Sequence, residues 1–249
     1  MKVIDWNQPS SFVDLFENIS ISCSNNNRFN LNNPTWISHV TDNFGECDEI
    51  ANNLLILFKI NVHAIRCYHA TRLFFPKKIY REGLKKLSEK LIVKICRQAG
   101  YSPNKKEKEI IFARYHNYNS IMKDGTRNNI YVQLDKYRDM LCEESNTPQH
   151  NCSFFDGGEV FGNVLPNTLS SQLLKVLKTR GIPTLISIDL PLSNKYLNDN
   201  YIVKIANTFF CSWFNLKVLN GEPFPNTCGL NIPLQIKGEY VKDILLFPN

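Results

Sequence analysis

Residues 65–84, reading IRCYHATRLFFPKKIYREGL, constrain the fold more than any other part of the chain. A strand over the first nine would alternate its side chains, setting His69 and Thr71 on the same side as Ile65, Cys67 and Leu73. Two polar groups on an otherwise apolar face need a protein, water or ligand partner. Pro76 suits the first turn of a helix, and Ile79, Leu84 and Leu87 recur at helical spacing. Gly83 sits where the backbone can be approached closely. The segment predicts strand, turn and short helix.

Upstream, Ser10-Ser11 before Phe12, Leu15 and Phe16 predicts a short capped helix. Residues 20–33 are rich in Asn and Ser and predict exposed loop. Ile50, Leu54, Leu55 and Phe58 predict a helix over 47–60 that leads into the His69 strand. The first sixty residues therefore read as a helical extension, with residues 61–249 as the main domain.

Downstream, Leu91, Ile92, Ile95 and Ala99 predict a helix over 89–99, stopped at Gly100. A second helix is expected over 105–122, burying Ile110, Ile111 and Ile121. Ile130, Val132 and Leu134 alternate with Tyr131, Gln133 and Asp135, so 129–137 predicts a short strand. In FFDGGEVF, two glycines before Glu159 describe a tight turn into a helix, where the dipole alone would stabilise an acid by about 0.3–1 kcal/mol. A helix over 169–178, an interior strand over 182–190, a core helix over 201–219 and two strands at 230–236 and 240–247 complete the chain.

A chain of 249 residues with 43% hydrophobic content can bury a large core. The eight cysteines lie far apart without a CxxC pair and read as reduced, buried thiols. Cys142, His150 and Cys152 lack a fourth ligand at sensible spacing, so no metal is expected. The formal charge of +6, from 29 basic and 23 acidic residues, favours an anionic partner without demanding one. Lys77, Lys78, Lys85, Lys86 and Lys90 cluster, but such a run on an amphipathic helix is ordinarily a solvated face. No apolar run reaches membrane-spanning length, and MKVIDWNQPS lacks a secretory core. A cytoplasmic protein without membrane contact is expected, with export by a route lacking an N-terminal signal left open.

Tyr68-His69-Ala70-Thr71-Arg72 with Ile79 and Gly83-Leu84 resembles the first motif of the ADP-ribosyltransferase superfamily, in its His-Tyr-Glu branch, which includes poly-ADP-ribose polymerases and diphtheria-type transferases. Ile130-Tyr131 through Leu134-Asp135 resembles the second motif, a strand tyrosine that stacks on nicotinamide. Gly157-Gly158-Glu159 is similar to the third element of uncharacterised bacterial proteins with a YHxxR, IYxxLD and GSE series. The resemblance implies an α+β fold, a split two-sheet core with NAD in the cleft. It implies that His69 bonds a ribose hydroxyl, the backbone of Ala70 holds the nicotinamide amide, Thr71 fixes the strand or ribose, and Tyr131 stacks on the ring. Arg72 and Tyr80 are supporting cofactor-binding candidates. The family's glutamate sits on a late strand, and 229–236 carries no acid. Glu159 is therefore the first candidate, Glu239 the second.

Three functions follow as expectations. The first is transfer of ADP-ribose from NAD to an unidentified protein, nucleic-acid or small-molecule acceptor, in a setting such as a toxin or defence protein. The second is a catalytically silent module of the same shape that binds a nucleotide, an ADP-ribose derivative or a protein. The third, a nucleic-acid enzyme or binder that uses the same fold on phosphorylated RNA, has the basic excess in its favour and the spread of the basic residues along the chain against it.

Overall fold

The computed structural model describes residues 2–17, 47–120, 129–136, 164–193, 195–217 and 229–247. In chain order these form β1 (Lys2–Ile4), α1 (Val13–Glu17), α2 (Cys47–Asn61), β2 (Val62–Leu73), α3 (Ile79–Glu82), α4 (Glu89–Gln98), α5 (Lys105–Ser120), β3 (Ile130–Gln133), α6 (Asn167–Arg180), β4 (Ile182–Pro191), α7 (Asp199–Lys217), β5 (Gly229–Ile232) and β6 (Val241–Leu246). The fold is mixed α+β. Its strands run in the order β5-β3-β2-β4-β6, with β1 parallel to the start of β2. No helix among the described residues is long and apolar enough to cross a membrane.

The chain divides into two compact units, one of residues 1–66 with 191–228, the other of 67–190 with 229–249. In the first, α7 joins the N-terminal segment. Its apolar positions recur at helical spacing, and Phe209 meets Phe12 edge-on at 4.9 Å while Phe210 meets Phe16 at 5.6 Å. Phe12, Phe16, Phe58 and Phe209 are fully buried, each contributing about 1.5–3 kcal/mol. This unit draws on two stretches far apart in the sequence, because periodicity marks an apolar face but not its partner. Nor is the N-terminal part wholly helical, since Lys2–Ile4 forms β1. The expected cap at Ser10-Ser11 is instead a 3-10 turn whose Ser11 hydroxyl accepts from the Asp5 amide at 2.8 Å and donates to its carbonyl at 3.0 Å.

The second unit holds the strands from Cys67 onward and α3 to α6. Ser88 caps α4, accepting from the Leu91 amide. Asn104 and Glu107 form a reciprocal capping box at the start of α5. Ile92, Cys96, Ile111, Tyr115, Leu173 and Leu177 pack as one cluster from α4, α5 and α6. Ile110, expected inside, is 46% exposed. A helix turns 100° per residue, and the face set by Ile111 and Tyr115, four apart, leaves Ile110 outside. Ile121 lies outside the described residues. Cys67, Cys96 and Cys211 are buried and in no disulfide, and burial pushes the Cys96 thiol up to about 11 and that of Cys211 up to about 12.

The short helix α3 is tied to its surroundings through Glu82. Its carboxylate receives the ammonium groups of Lys85 and Lys94, both at 2.8 Å, and these bonds hold it down to about 2. In the unfolded chain the group titrates near 4.5, so its contribution is complete above that pH and is lost as the pH falls towards 2. Glu82→Gln is expected to flatten the loss of stability over this acid window, read from urea midpoints across pH, while leaving the neutral-to-alkaline shape unchanged.

Candidate functional site

His69, Ala70, Thr71 and Arg72 all lie on β2, and Tyr131 lies on the neighbouring β3. Both stretches belong to the second unit. The register between these strands sets Tyr68 opposite Gln133, and continued by two residues it sets Ala70 across from Tyr131. The His69 ring reaches across, and its Nδ1 lies 2.8 Å from the Tyr131 carbonyl oxygen.

That contact fixes the state of the imidazole. A carbonyl only accepts, so Nδ1 carries the hydrogen and Nε2 keeps its lone pair when the ring is neutral. Burial lowers the pKa of His69 and is the larger effect, while the bond to Tyr131 raises it. The net shift is downward, which keeps the ring neutral at pH 7. His69 is half-buried, as is Thr71 on the same face. Ile65 and Cys67, also on that face, are fully buried, as the alternation predicts.

His69 and Tyr131 meet ring to main chain. Directly opposed residues share a face, so Tyr131, two residues from Gln133, leaves the sheet on the side of Tyr68 and Ala70, while His69 leaves from the other side. The expectation of both rings lining one hollow therefore gives way to an imidazole whose edge meets the Tyr131 main chain. The Tyr131 side chain lies on β5. A Cβ built on Gly229 would stand 2.0 Å from the Tyr131 hydroxyl oxygen and 2.4 Å from Cζ. Gly229, which the sequence reading passed over, is what lets this ring settle. Its only sequence signal is a glycine opening an alternating Leu230-Asn231-Ile232 run.

β5 pairs with β3 over four residues and places Asn231 opposite Tyr131. The late strand thus presents a carboxamide beside the tyrosine, with no acid on it. Glu239 stands in the 3-10 turn Gly238–Tyr240 before β6, exposed, with its carboxylate 3.0 Å from the Lys237 ammonium. Glu159 and the Cys142, His150 and Cys152 group lie outside the described residues. Among the described residues no cluster of His, Cys, Asp and Glu could hold a metal.

The supporting candidates have other work. Arg72 Nη1 donates to the carbonyls of Lys178 and Gly181, both at 3.1 Å, placing positive charge at the negative end of α6. Tyr80 is 45% exposed on α3, and its carbonyl lies 2.1 Å from where Gly238 would carry a Cβ. Gly83, with φ 68° and ψ −171°, brings the same helix against 236–238. Leu84 and Ile236 exchange amide-to-carbonyl bonds of 2.9 and 3.0 Å. The close approach expected at Gly83 is present, and it serves this backbone clasp. The chain matches no family model, no curated protein and no solved structure.

Proposed function

We propose that the chain is an NAD-dependent ADP-ribosyltransferase whose site lies beside His69 on β2. One observation carries the reading: the neutral His69 imidazole, tied through Nδ1 to the Tyr131 carbonyl, keeps an accepting Nε2. Nε2 receives a ribose hydroxyl. The Ala70 backbone takes the nicotinamide carboxamide. Tyr131, whose ring leaves the sheet on the other face from His69, contributes its carbonyl through His69 and not a stacking face. In transfer, the bond between C1′ and the nicotinamide nitrogen breaks with its electron pair going to nicotinamide. The acceptor adds to the cationic C1′ and gives up a proton. A carboxylate beside that cation contributes several kcal/mol in a dry site, and Glu159 is the residue assigned to it.

A second reading is favoured by Asn231. A neutral carboxamide opposite Tyr131 can bond hydroxyls but cannot offset a full positive charge, which suits a module that binds NAD or ADP-ribose without turnover. Nicotinamide release and NAD titration calorimetry separate the two. For the transferase, Glu159→Ala abolishes release with binding retained. His69→Ala weakens kcat/KM by roughly 10–100-fold, the cost of one lost site hydrogen bond. The acid limb of the wild-type profile is expected below the 6.5 of a free imidazole, because burial lowers the His69 pKa. Binding without release supports the silent module, and a wild-type protein that takes up no NAD removes both.

A further inference from the structure

The formal charge of the chain is concentrated in one place. Residues 77–97 hold eight basic and two acidic side chains, a net of +6, while the rest of the chain balances at 21 of each sign. Both acids in that stretch are already engaged. Glu82 lies under Arg81, Lys85 and Lys94, at 3.6, 2.8 and 2.8 Å. Glu89 lies 2.9 Å from His116 Nε2. A single carboxylate therefore gathers cations from α3 and α4 into one continuous patch. On α4, Lys90, Lys94 and Arg97 fall four and three residues apart, on one stripe, away from the buried Ile92 and Cys96. Lys77 and Lys78, in the turn before α3, extend the positive surface.

Two exposed aromatic rings border the same segment. Phe75 is 50% exposed and Tyr80 45%, and the Lys78 ammonium stands 4.2 Å from the centroid of the Phe75 ring. Cations beside open aromatic faces suit a strand of linked phosphates with unstacked bases, where charge tracks the backbone and rings receive the bases. An acidic peptide would use the cations and leave the rings without a purpose. We infer that residues 75–97 form a binding surface for single-stranded nucleic acid. The inference is independent of the transferase reading, and its test contains no NAD.

The probe is a fluorescein-labelled single-stranded RNA of about 15 nucleotides, followed by anisotropy with the full chain. Raising salt from about 50 to about 200 mM should weaken binding by roughly 300-fold if about six cations meet phosphates. Reversing Lys77, Lys90 and Arg97 to Glu should reduce that salt effect to roughly 20-fold. A control reversing Lys175, Lys204 and Lys242, exposed elsewhere, should leave it unchanged. Phe75→Ala and Tyr80→Ala should each weaken RNA binding by roughly 5–150-fold, the range of one lost stacking contact. All these side chains are exposed, and unchanged thermal midpoints would establish that the variants fold. Equal losses from both charge triples, or indifference to both aromatic substitutions, would overturn the inference. Binding to phosphatidylserine vesicles in preference to RNA would also overturn it, in favour of a membrane surface.

Discussion

Gly83→Ala is expected to destabilise the protein by about 3–5 kcal/mol, near the upper end of single-substitution effects. Two costs combine. At φ 68° and ψ −171° the residue occupies a region that only glycine adopts readily, with a penalty of about 1–3 kcal/mol for any side chain. The added methyl would also stand 2.0 Å from the Ile236 carbonyl oxygen and 2.8 Å from the Gly238 amide nitrogen. Those atoms are main chain, held by the reciprocal bonds of Leu84 and Ile236 and by the Gln235 side-chain amide on the Glu82 carbonyl at 3.0 Å. They cannot swing aside as a side-chain tip can. Gly100 provides the comparison within the same molecule, since its φ is 86° but nothing lies within 4 Å of its would-be Cβ. Gly100→Ala should cost only the conformational part, about 1–2 kcal/mol. Urea midpoints for the two variants measure the difference, and a Gly83→Ala protein within 1 kcal/mol of Gly100→Ala would show that the 79–84 and 236–238 segments are not clasped as described.

Much of this clasp was legible in the sequence, and much was not, for physical reasons. Gly83 next to Leu84 announced a close approach, but its partner strand lies some 150 residues away, and nothing in local spacing names it. The helices α2, α4 and α6 and the strands β2 and β4 follow from periodicity, because each buries one or both faces over several repeats. β1 has only three residues, too few for alternation to show. The association of α7 with the N-terminal segment is a choice among apolar faces that all look alike along the chain. At the site, His69 and Tyr131 stood out through their motifs, yet the relation between them depends on register. Tyr68 pairing with Gln133 decides which face each side chain takes, and a one-residue slip would reverse it. Gly229 was invisible until β5 was paired to β3, since a glycine has significance only through what rests on it.

That resting place yields the second large effect. Gly229→Ala is expected to destabilise the protein by about 1–3 kcal/mol, the range for an extra methyl in occupied space and less than for Gly83→Ala. The reason for the contrast with Gly83 is the identity of the obstructing atoms. The new methyl would meet Tyr131 at its hydroxyl oxygen, Cζ and Cε2, at 2.0, 2.4 and 2.5 Å, all on a side chain and none on the main chain. β5 and β3 keep their four-residue register and the ring leaves its seat. Tyr131→Ala removes the obstructing ring outright. The two substitutions act on one object, so their effects should not add: introduced into Tyr131→Ala, the Gly229 change should be nearly silent. Urea midpoints of the wild type, both single variants and the double variant close this cycle. Additive losses would mean that Gly229 matters for some other reason.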